Sequence, residues 1–355
     1  MALSWQFSEG LVFLRAIKPL HRSVMAPLNQ RTLVIVFSGI LLSFAQFVHP
    51  TTSLAMGTGS CWGIAAGETF VPGLGFGLSG QFGKMAVIGG GRWAADRKYY
   101  KLIEEPDYQK KSTDIYVTVD AEKSPSGKAE TDVYLNKSTY EAGFYGSLSG
   151  NLWMISLGDL YRNNCESSNE TLKLSFSPLR FDHFYDNWMF WLPVAVLAAN
   201  NATYGDTNIS RYHLGNGLKE KQLKEDGWKQ YYMVGFGEEM FFRGTVMQSM
   251  YSGLTGGMHF SAGGARHLSV VGSSAVFAVA HNGAGFTATP AIAFASGVYL
   301  GYAYMPNPGE EDLMTAIAIH SWWDIMVSYT ILNNSTYTSS DSKVEIPLLS
   351  FAGQF

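Results

Sequence analysis

Three short motifs in the C-terminal third of the chain carry ionisable side chains within sequence that is otherwise almost free of charge. They are Glu238-Glu239-Met-Phe-Phe-Arg243, Phe277-Ala-Val-Ala-His281 and His320-Ser-Trp-Trp-Asp324. The spacing of four places the end residues of the second and third motifs one helical turn apart. Carboxylates, histidines and arginines are costly in apolar surroundings, so they usually pair with one another and mark a working site.

A carboxylate close to two histidines has the right chemistry for a general base. Glu239 and Arg243 lie one turn apart and can neutralise each other. Glu238 points about 100° away from Glu239 on an ideal helix, which leaves it free to face a cavity. Near His281 and His320, a partly desolvated Glu238 would have the raised basicity of a general base. The same groups can bind a metal, or can position water and stabilise an oxyanion without one.

The motifs lie in apolar stretches that must form helices to bring them together. Four such stretches follow one another: Tyr231–Leu254, Leu268–Gly283, Phe286–Met305 and Leu313–Leu332. Several are short for a full span of ~20 residues, which predicts tilted or broken helices around a polar cavity. Trp188, Phe190 and Trp191 precede them and are typical of an aromatic belt at a membrane interface.

The composition indicates a membrane protein with a water-exposed part. Of the 355 residues, 15% are charged, 46% hydrophobic and 14% aromatic, whereas soluble domains contain roughly 25% charged residues. The formal net charge of −4 argues against a nucleic-acid partner, because phosphate binding needs a basic face. We therefore predict an all-α, polytopic membrane helix bundle with a mixed, partly polar N-terminal region.

The N-terminal region combines an apolar leader with glycine-rich and polar sequence. Residues 32–48 are apolar enough for a signal-peptide core or a membrane anchor, and the basic residues before them place the N-terminus in the cytoplasm. Met25 offers an alternative start. Glycines in residues 56–92 favour close helix packing over phosphate binding. Residues 100–138, with a predicted strand at Ile115–Val119, are expected to be a polar excursion outside the cytoplasm.

Taken in this order on successive apolar helices, the three motifs resemble those of the CPBP family of intramembrane proteases. That family includes the type II CAAX prenyl endopeptidases and bacterial proteins linked to bacteriocin self-immunity. The resemblance covers about residues 185–335 and rests on all three motifs together. It implies a multi-pass protein of a bacterial inner membrane, with the lipid bilayer and a peptide or protein substrate as its partners.

The resemblance also implies roles for individual residues. Its six catalytic residues would be Glu238, Glu239, Arg243, His281, His320 and Asp324. Glu238 would activate water, and Glu239 and Arg243 would support it. His281 would hold the water or a metal. His320 and Asp324 would stabilise the oxyanion or complete a metal site.

One position departs from the pattern, because many members carry Asn where this chain has Asp324. An ionised carboxylate is a poorer oxyanion donor than an amide, but a better metal ligand or histidine-orienting partner. The resemblance therefore allows a zinc ion bound by Glu238, His281 and His320, and it equally allows a glutamate mechanism without metal.

These observations and the resemblance divide the chain into four parts. They are a signal peptide or N-terminal anchor (1–55), a glycine-rich and polar region (56–184), a protease core (185–335) and a C-terminal tail (336–355). Cys61 and Cys165 leave a disulfide and two free thiols both open. The predicted function is hydrolysis of a peptide bond in a membrane-associated protein or peptide by a glutamate-activated water. The alternative is a catalytically silent membrane protein of the same fold, acting as a binding or immunity partner.

Overall fold

Helices account for most of the structure, a computed structural model that describes residues 58–105, 108, 115–166, 168, 170–215, 217–281 and 288–339. Its long helices are α1 Thr58–Phe70, α2 Gly90–Ile103, α3 Lys137–Cys165, α4 Trp188–Thr207, α5 Glu220–Phe241, α6 Ala262–Ala280, α7 Ala288–Tyr304 and α8 Leu313–Asn333. The predicted leader (residues 1–55) and the part of the predicted tail beyond Ser339 lie outside the described residues.

Short helical pieces extend or join the long helices. Before α2 stand Leu74–Leu78, Phe82–Lys84 and the π-helical turn Met85–Gly89. Between α3 and α4 stand Thr171–Leu174, Ser177–Leu179 and Phe181–Phe184. After α5 the helix continues through the π-helical turn Phe242–Met247, Gln248–Ser252 and a second π-helical turn, Gly253–Gly257. π-Helical turns inside α-helices are frequent at functional sites, and the turn Phe242–Met247 contains Arg243.

A four-stranded sheet lies at the end of the molecule where α3 begins and α8 ends. Its strands are β1 Ile115–Val119, β2 Ala129–Leu135, β3 Asn208–Leu214 and β4 Ser335–Ser339. The order is β1-β2-β3-β4; β1 and β2 are antiparallel, with Val117 opposite Asp132, and the other pairs are parallel. The strand at Ile115–Val119 was predicted. The helical fold class is confirmed, but the all-α prediction lacked this sheet.

Helix α3 runs through the interior, between the glycine-rich region and the helices that carry the three motifs. The second half of α3 is largely buried. Leu160 packs with residues of α1 and its neighbouring turn, while Ile155 packs with residues of α5 and α8. A Cβ atom at Gly158 would lie 2.6 Å from the Met240 carbonyl oxygen, so this glycine permits the close approach of α3 and α5.

The surface carries large apolar side chains on several elements. The most exposed ones, at 60% or more, are Phe70, Leu78, Phe82, Val87, Leu172, Tyr185, Trp188 and Val279. Single exposed apolar residues are normal, but a set of this size distinguishes the surface from that of an ordinary soluble domain. Across the described residues, no helix has both the length and the apolar character required to traverse a membrane.

Candidate active site

Side chains from all three sequence motifs meet between α5, α6 and α8. Glu238 Oε2 lies 3.6 Å from His281 Nε2 and 3.8 Å from His320 Nε2. His320 Nε2 also lies 3.5 Å from Asp324 Oδ2. Four polar groups from three helices therefore surround a common point, which is the arrangement that the sequence predicted for these residues.

Glycines on either side of the site allow its helices to approach closely. A Cβ atom at Gly235 would lie 2.5 Å from the Ser321 backbone nitrogen on α8. A Cβ atom at Gly237 would lie 2.8 Å from Asn151 Oδ1 on α3. Any larger residue at either position would push the helices apart. The sequence Gly-Phe-Gly before Glu238 thus fixes α5 against both neighbours at the point where the carboxylate projects.

The carbonyl group of Phe277 fixes the orientation of His281. The ring Nδ1 of His281 lies 2.8 Å from the Phe277 carbonyl oxygen, which can only accept, so Nδ1 carries the proton. In the neutral ring Nε2 then has a free lone pair, and this atom faces Glu238. The centroids of the Phe277 and His281 rings also lie 4.2 Å apart. The Phe-x-x-x-His spacing therefore sets both the position and the tautomer of the histidine.

Glu239 orients His320 in the same way. His320 Nδ1 lies 2.7 Å from Glu239 Oε1, and both residues are buried. Since the carboxylate accepts, Nδ1 donates and Nε2 is left to face Glu238 and Asp324. Both histidines thus present Nε2 to the Glu238 carboxylate, and each has its other nitrogen held by an outer partner.

Arg243 neutralises Glu239 inside the protein. Its guanidinium lies 2.8 Å from Glu239 Oε1, and both side chains are almost fully buried. Arg243 also donates to the Gly297 carbonyl oxygen on α7 at 3.0 Å and lies 4.8 Å from the centre of the Phe277 ring. The sequence predicted the ion pair but not these two partners, because neither a carbonyl group nor a ring position leaves a signal in the residue pattern.

Glu238 Oε2, like Glu239 Oε2, is an acceptor of this group that protein donors leave unsatisfied, and it is the one that lies near both histidines. Within the described part of the chain it is buried and has no hydrogen-bond partner, although the Glu238 side chain as a whole is 15% exposed. A buried carboxylate oxygen normally has a donor. Because the neighbouring Nε2 atoms of His281 and His320 also offer lone pairs when neutral, the site suits a small molecule that donates hydrogen bonds, such as water.

The same lone pairs have the chemistry of metal ligands. Two imidazole nitrogens and a carboxylate are common zinc donors, and outer partners such as the Phe277 carbonyl and Glu239 are usual around a bound metal. Among the residues with described coordinates, however, no group of three or more His, Cys, Asp and Glu side chains is placed to hold one ion. Zinc binding by Glu238, His281 and His320 stays a prediction from the sequence.

The segment that carries these side chains matches a known family. Residues 230–326 match the family model described as type II CAAX prenyl endopeptidase Rce1-like. This segment is similar to the CAAX protease family. The match confirms the resemblance found in the sequence, and the CAAX protease segment includes all six predicted site residues. No curated protein and no solved structure matches the chain significantly.

Proposed function

We propose that this protein is an intramembrane endopeptidase that hydrolyses a peptide bond of a membrane-associated protein or peptide. The observation that carries the proposal is the convergence of the unpartnered Glu238 Oε2 with the Nε2 atoms of His281 and His320. Its position within the segment that matches the CAAX protease family supports the same reaction class.

Glu238 would act as the general base. A water molecule can donate one hydrogen bond to Glu238 Oε2 and the other to His281 Nε2, which lie 3.6 Å apart. As the water oxygen attacks the carbonyl carbon of the scissile bond, its proton moves to Glu238. When the carbon–nitrogen bond breaks, Glu238 returns this proton to the leaving amine. A positioned general base contributes typically ~10²–10⁴-fold to the rate.

His320 would stabilise the oxyanion of the tetrahedral intermediate. Since its Nδ1 is committed to Glu239, the doubly protonated ring donates from Nε2. Asp324 lies 3.5 Å from that nitrogen and, as a carboxylate, would hold the ring and its charge rather than contact the oxyanion. An orienting role of this kind accounts for an acid at a position where the family pattern often has an amide.

The proposed location is a bacterial inner membrane, with several membrane crossings. Exposed Trp188, Val196 and Val279 would contact lipid, and the charged groups of the core pair with one another inside the protein. Arg243 and Glu239 are an example, because they form a buried ion pair at 2.8 Å. Internal pairing of this kind is typical of ionisable residues in membranes.

A catalytically silent binding or immunity partner of the same fold is the alternative. An inactive scaffold has no need for an unpartnered carboxylate between two oriented histidines, so the retention of Glu238, His281 and His320 favours the enzyme. The two functions differ in what Glu238→Gln should do. An enzyme loses turnover, whereas a binding partner with unchanged shape keeps its cellular effect.

The decisive experiment compares membrane proteomes of cells that contain wild-type protein or Glu238→Gln at equal level. We expect new peptide termini in membrane proteins that depend on Glu238, and cleavage of the matching peptide by purified wild-type protein in proteoliposomes. Glu225→Gln is a matched control, because Glu225 is on the same helix and is 54% exposed. Equal cleavage by wild type and Glu238→Gln would contradict the mechanism.

A further inference from the structure

The glycine-rich region contains a helix break whose free backbone donors are satisfied by a carboxylate. Helix α1 ends at Phe70 and helical structure resumes at Leu74, after a turn in which Gly73 has φ of 84°. The fully buried Glu68 side chain accepts hydrogen bonds from the backbone nitrogens of Gly73 at 2.9 Å and Gly75 at 3.1 Å. In water these donors need no internal carboxylate, and burial of Glu68 would be costly.

Arg92 satisfies the backbone acceptors on the other side of the break. It donates to the carbonyl oxygens of Glu68 at 2.6 Å and Thr69 at 3.1 Å, which are left free where α1 ends. The guanidinium also lies 3.8 Å from Glu68 Oε1. Glu68 and Arg92 therefore neutralise each other while they satisfy the polar backbone of the break without water.

The outer surface around this break is apolar and carries no charge that lacks an internal partner. Val71, Leu78 and Phe82 are 52%, 62% and 65% exposed. Between Glu68 and Arg92 the sequence has one further charged residue, Lys84, which pairs with Asp159 at 2.7 Å. An uncharged apolar surface of this kind fits hydrocarbon rather than a polar partner.

Contacts with α3 show how far the segment reaches. Close to the break, Trp153 Nε1 of α3 donates to Thr69 Oγ1 at 3.4 Å. Near the C-terminal end of α3, Asn164 Nδ2 donates to Ser79 Oγ at 3.1 Å. Trp153 and Asn164 are separated by about 16 Å along a helix. This distance is roughly half of the ~30 Å hydrocarbon thickness of a bilayer.

We propose that Thr58–Gly80 is a re-entrant hairpin that inserts into the bilayer from the side of Asn164 and returns to that side, with lipid acyl chains as its partner. In hydrocarbon a helix break is tolerated only where the protein satisfies the freed backbone groups, as Glu68 and Arg92 do here. The inference rests on the proposed membrane location. It adds a lipid-contacting element outside the matched family segment.

Depth-dependent fluorescence quenching tests this hairpin. Val71→Cys and Leu78→Cys are labelled with an environment-sensitive fluorophore and reconstituted into vesicles of phosphatidylcholine brominated either near the chain end or near the headgroup. Cys165 is disulfide-bonded, so the labelling is done without reductant. We expect deep bromines to quench the Val71 probe about twofold more than shallow ones, with the opposite order at Leu78. Lys123→Cys, in the exposed turn after β1, should show neither effect.

The control that separates this inference from the membrane location is Val279→Cys on α6, within the matched family segment and 67% exposed. Quenching at Val279 without quenching at Val71 would overturn the hairpin and leave the membrane location intact. Absence of quenching at both positions would overturn both. Deep quenching at Leu78 as strong as at Val71 would also reject a return to the surface. Phe70→Cys and Phe82→Cys replace any variant whose elution profile differs from wild type.

Discussion

At the scale of single residues, the two glutamates of the first motif have different surroundings and should respond differently to substitution. Glu238 has an unpartnered carboxylate oxygen that faces two histidines, whereas Glu239 Oε1 accepts hydrogen bonds from His320 and Arg243. Glu238→Gln keeps volume and hydrogen bonding but cannot take a proton. We expect kcat to fall ~10²–10⁴-fold, with an unchanged thermal unfolding midpoint in detergent. A drop in stability as large as the drop in activity would assign Glu238 a structural role.

Arg243→Ala should damage the fold as well as the activity. The substitution leaves Glu239 buried without its ion partner, and breaking a buried pair costs about 3–5 kcal/mol. We expect a lower yield of folded protein and a lower unfolding midpoint. The matched control is the double variant Glu239→Gln, Arg243→Met, which removes both charges. It should regain much of the stability while remaining inactive, since His320 loses its carboxylate partner. A stable Arg243→Ala protein would argue against this account.

A chelator distinguishes the two chemistries that this group of residues permits. If Glu238 activates water without a metal, prolonged treatment with a zinc chelator should leave the activity of the purified protein unchanged. A zinc-dependent site would lose activity and regain it when zinc is added back. Metal analysis of the same samples provides a readout that does not depend on turnover. Loss and zinc-specific recovery would establish Glu238, His281 and His320 as ligands rather than as a base with two orienting groups.

At the scale of secondary-structure elements, the close approach of α5 to α8 near the site depends on Gly235. A Cβ atom at Gly235 would lie 2.5 Å from the Ser321 backbone nitrogen, and backbone cannot move aside as a flexible side chain can. Gly235→Ala should therefore separate the helices and displace His320 from Glu238, with losses of stability and activity. Gly150→Ala on α3 is the control, since no atom lies within 4 Å of its added methyl group. That variant should be stabilised by roughly 0.5–1 kcal/mol.

The sheet has an acid-sensitive connection between β2 and β3. Hydrogen bonds from Ser124, Ser126 and Arg211 lower the pKa of Glu130 from its ordinary value to about 2. A lowered pKa in the folded state stabilises the protein fully above the ordinary carboxyl pKa of about 4.3, and this contribution disappears as the pH falls through about 2.

Glu130→Gln removes that contribution. We expect the variant to unfold at a lower temperature than wild type at pH 7, with a difference that narrows steadily below pH 4 in detergent solution. Glu122→Gln, at an exposed position in the turn between β1 and β2, is the control and should leave the unfolding temperature at pH 7 unchanged. A constant difference between wild type and Glu130→Gln at all pH values would show that the ionised carboxylate is not the cause.

At the scale of the whole molecule, the proposed membrane location leads us to predict a different side of the membrane for the sheet than the sequence predicts for residues 100–138. The sequence placed residues 100–138 outside the cytoplasm after a single crossing. Strand β2 ends at Leu135, just before α3 begins, and the 29 residues of α3 extend about 43 Å from there to Cys165. The sheet thus lies at the opposite end of α3 from Cys165. Cys165 is disulfide-bonded, and disulfides persist in oxidising compartments.

A reporter fused after Lys123 should therefore report the cytoplasm, and one fused after Met258 should report the exported side. Basic residues near the sheet, such as Lys128 and Lys137, agree with this orientation, because cytoplasmic loops are enriched in Lys and Arg. The re-entrant hairpin is consistent with it, since it enters and leaves on the side of Cys165. The reverse pattern of reporter activity would restore the topology predicted from the sequence.

The sequence by itself determined the family, the helical class and the set of candidate site residues. These features are local: motifs such as Phe277-x-x-x-His281 place residues one turn apart, and ionisable groups stand out against apolar sequence. The spacing also predicted the ion pair between Glu239 and Arg243. For the roles in catalysis the sequence provides predictions, which the experiments above test.

Only the tertiary structure decided which backbone groups complete the site and which distant segments pair. The carbonyl groups of Phe277 and Gly297 are chemically like every other carbonyl, so no residue pattern indicates that they bind His281 and Arg243. The strands β2 and β3 have seven residues each and are separated by the whole of α3 and α4, so their pairing leaves no local signal. The helix break at Gly73 was visible as glycine-rich sequence, but its stabilisation by Glu68 and Arg92 required the fold, because long-range contacts depend on how helices pack.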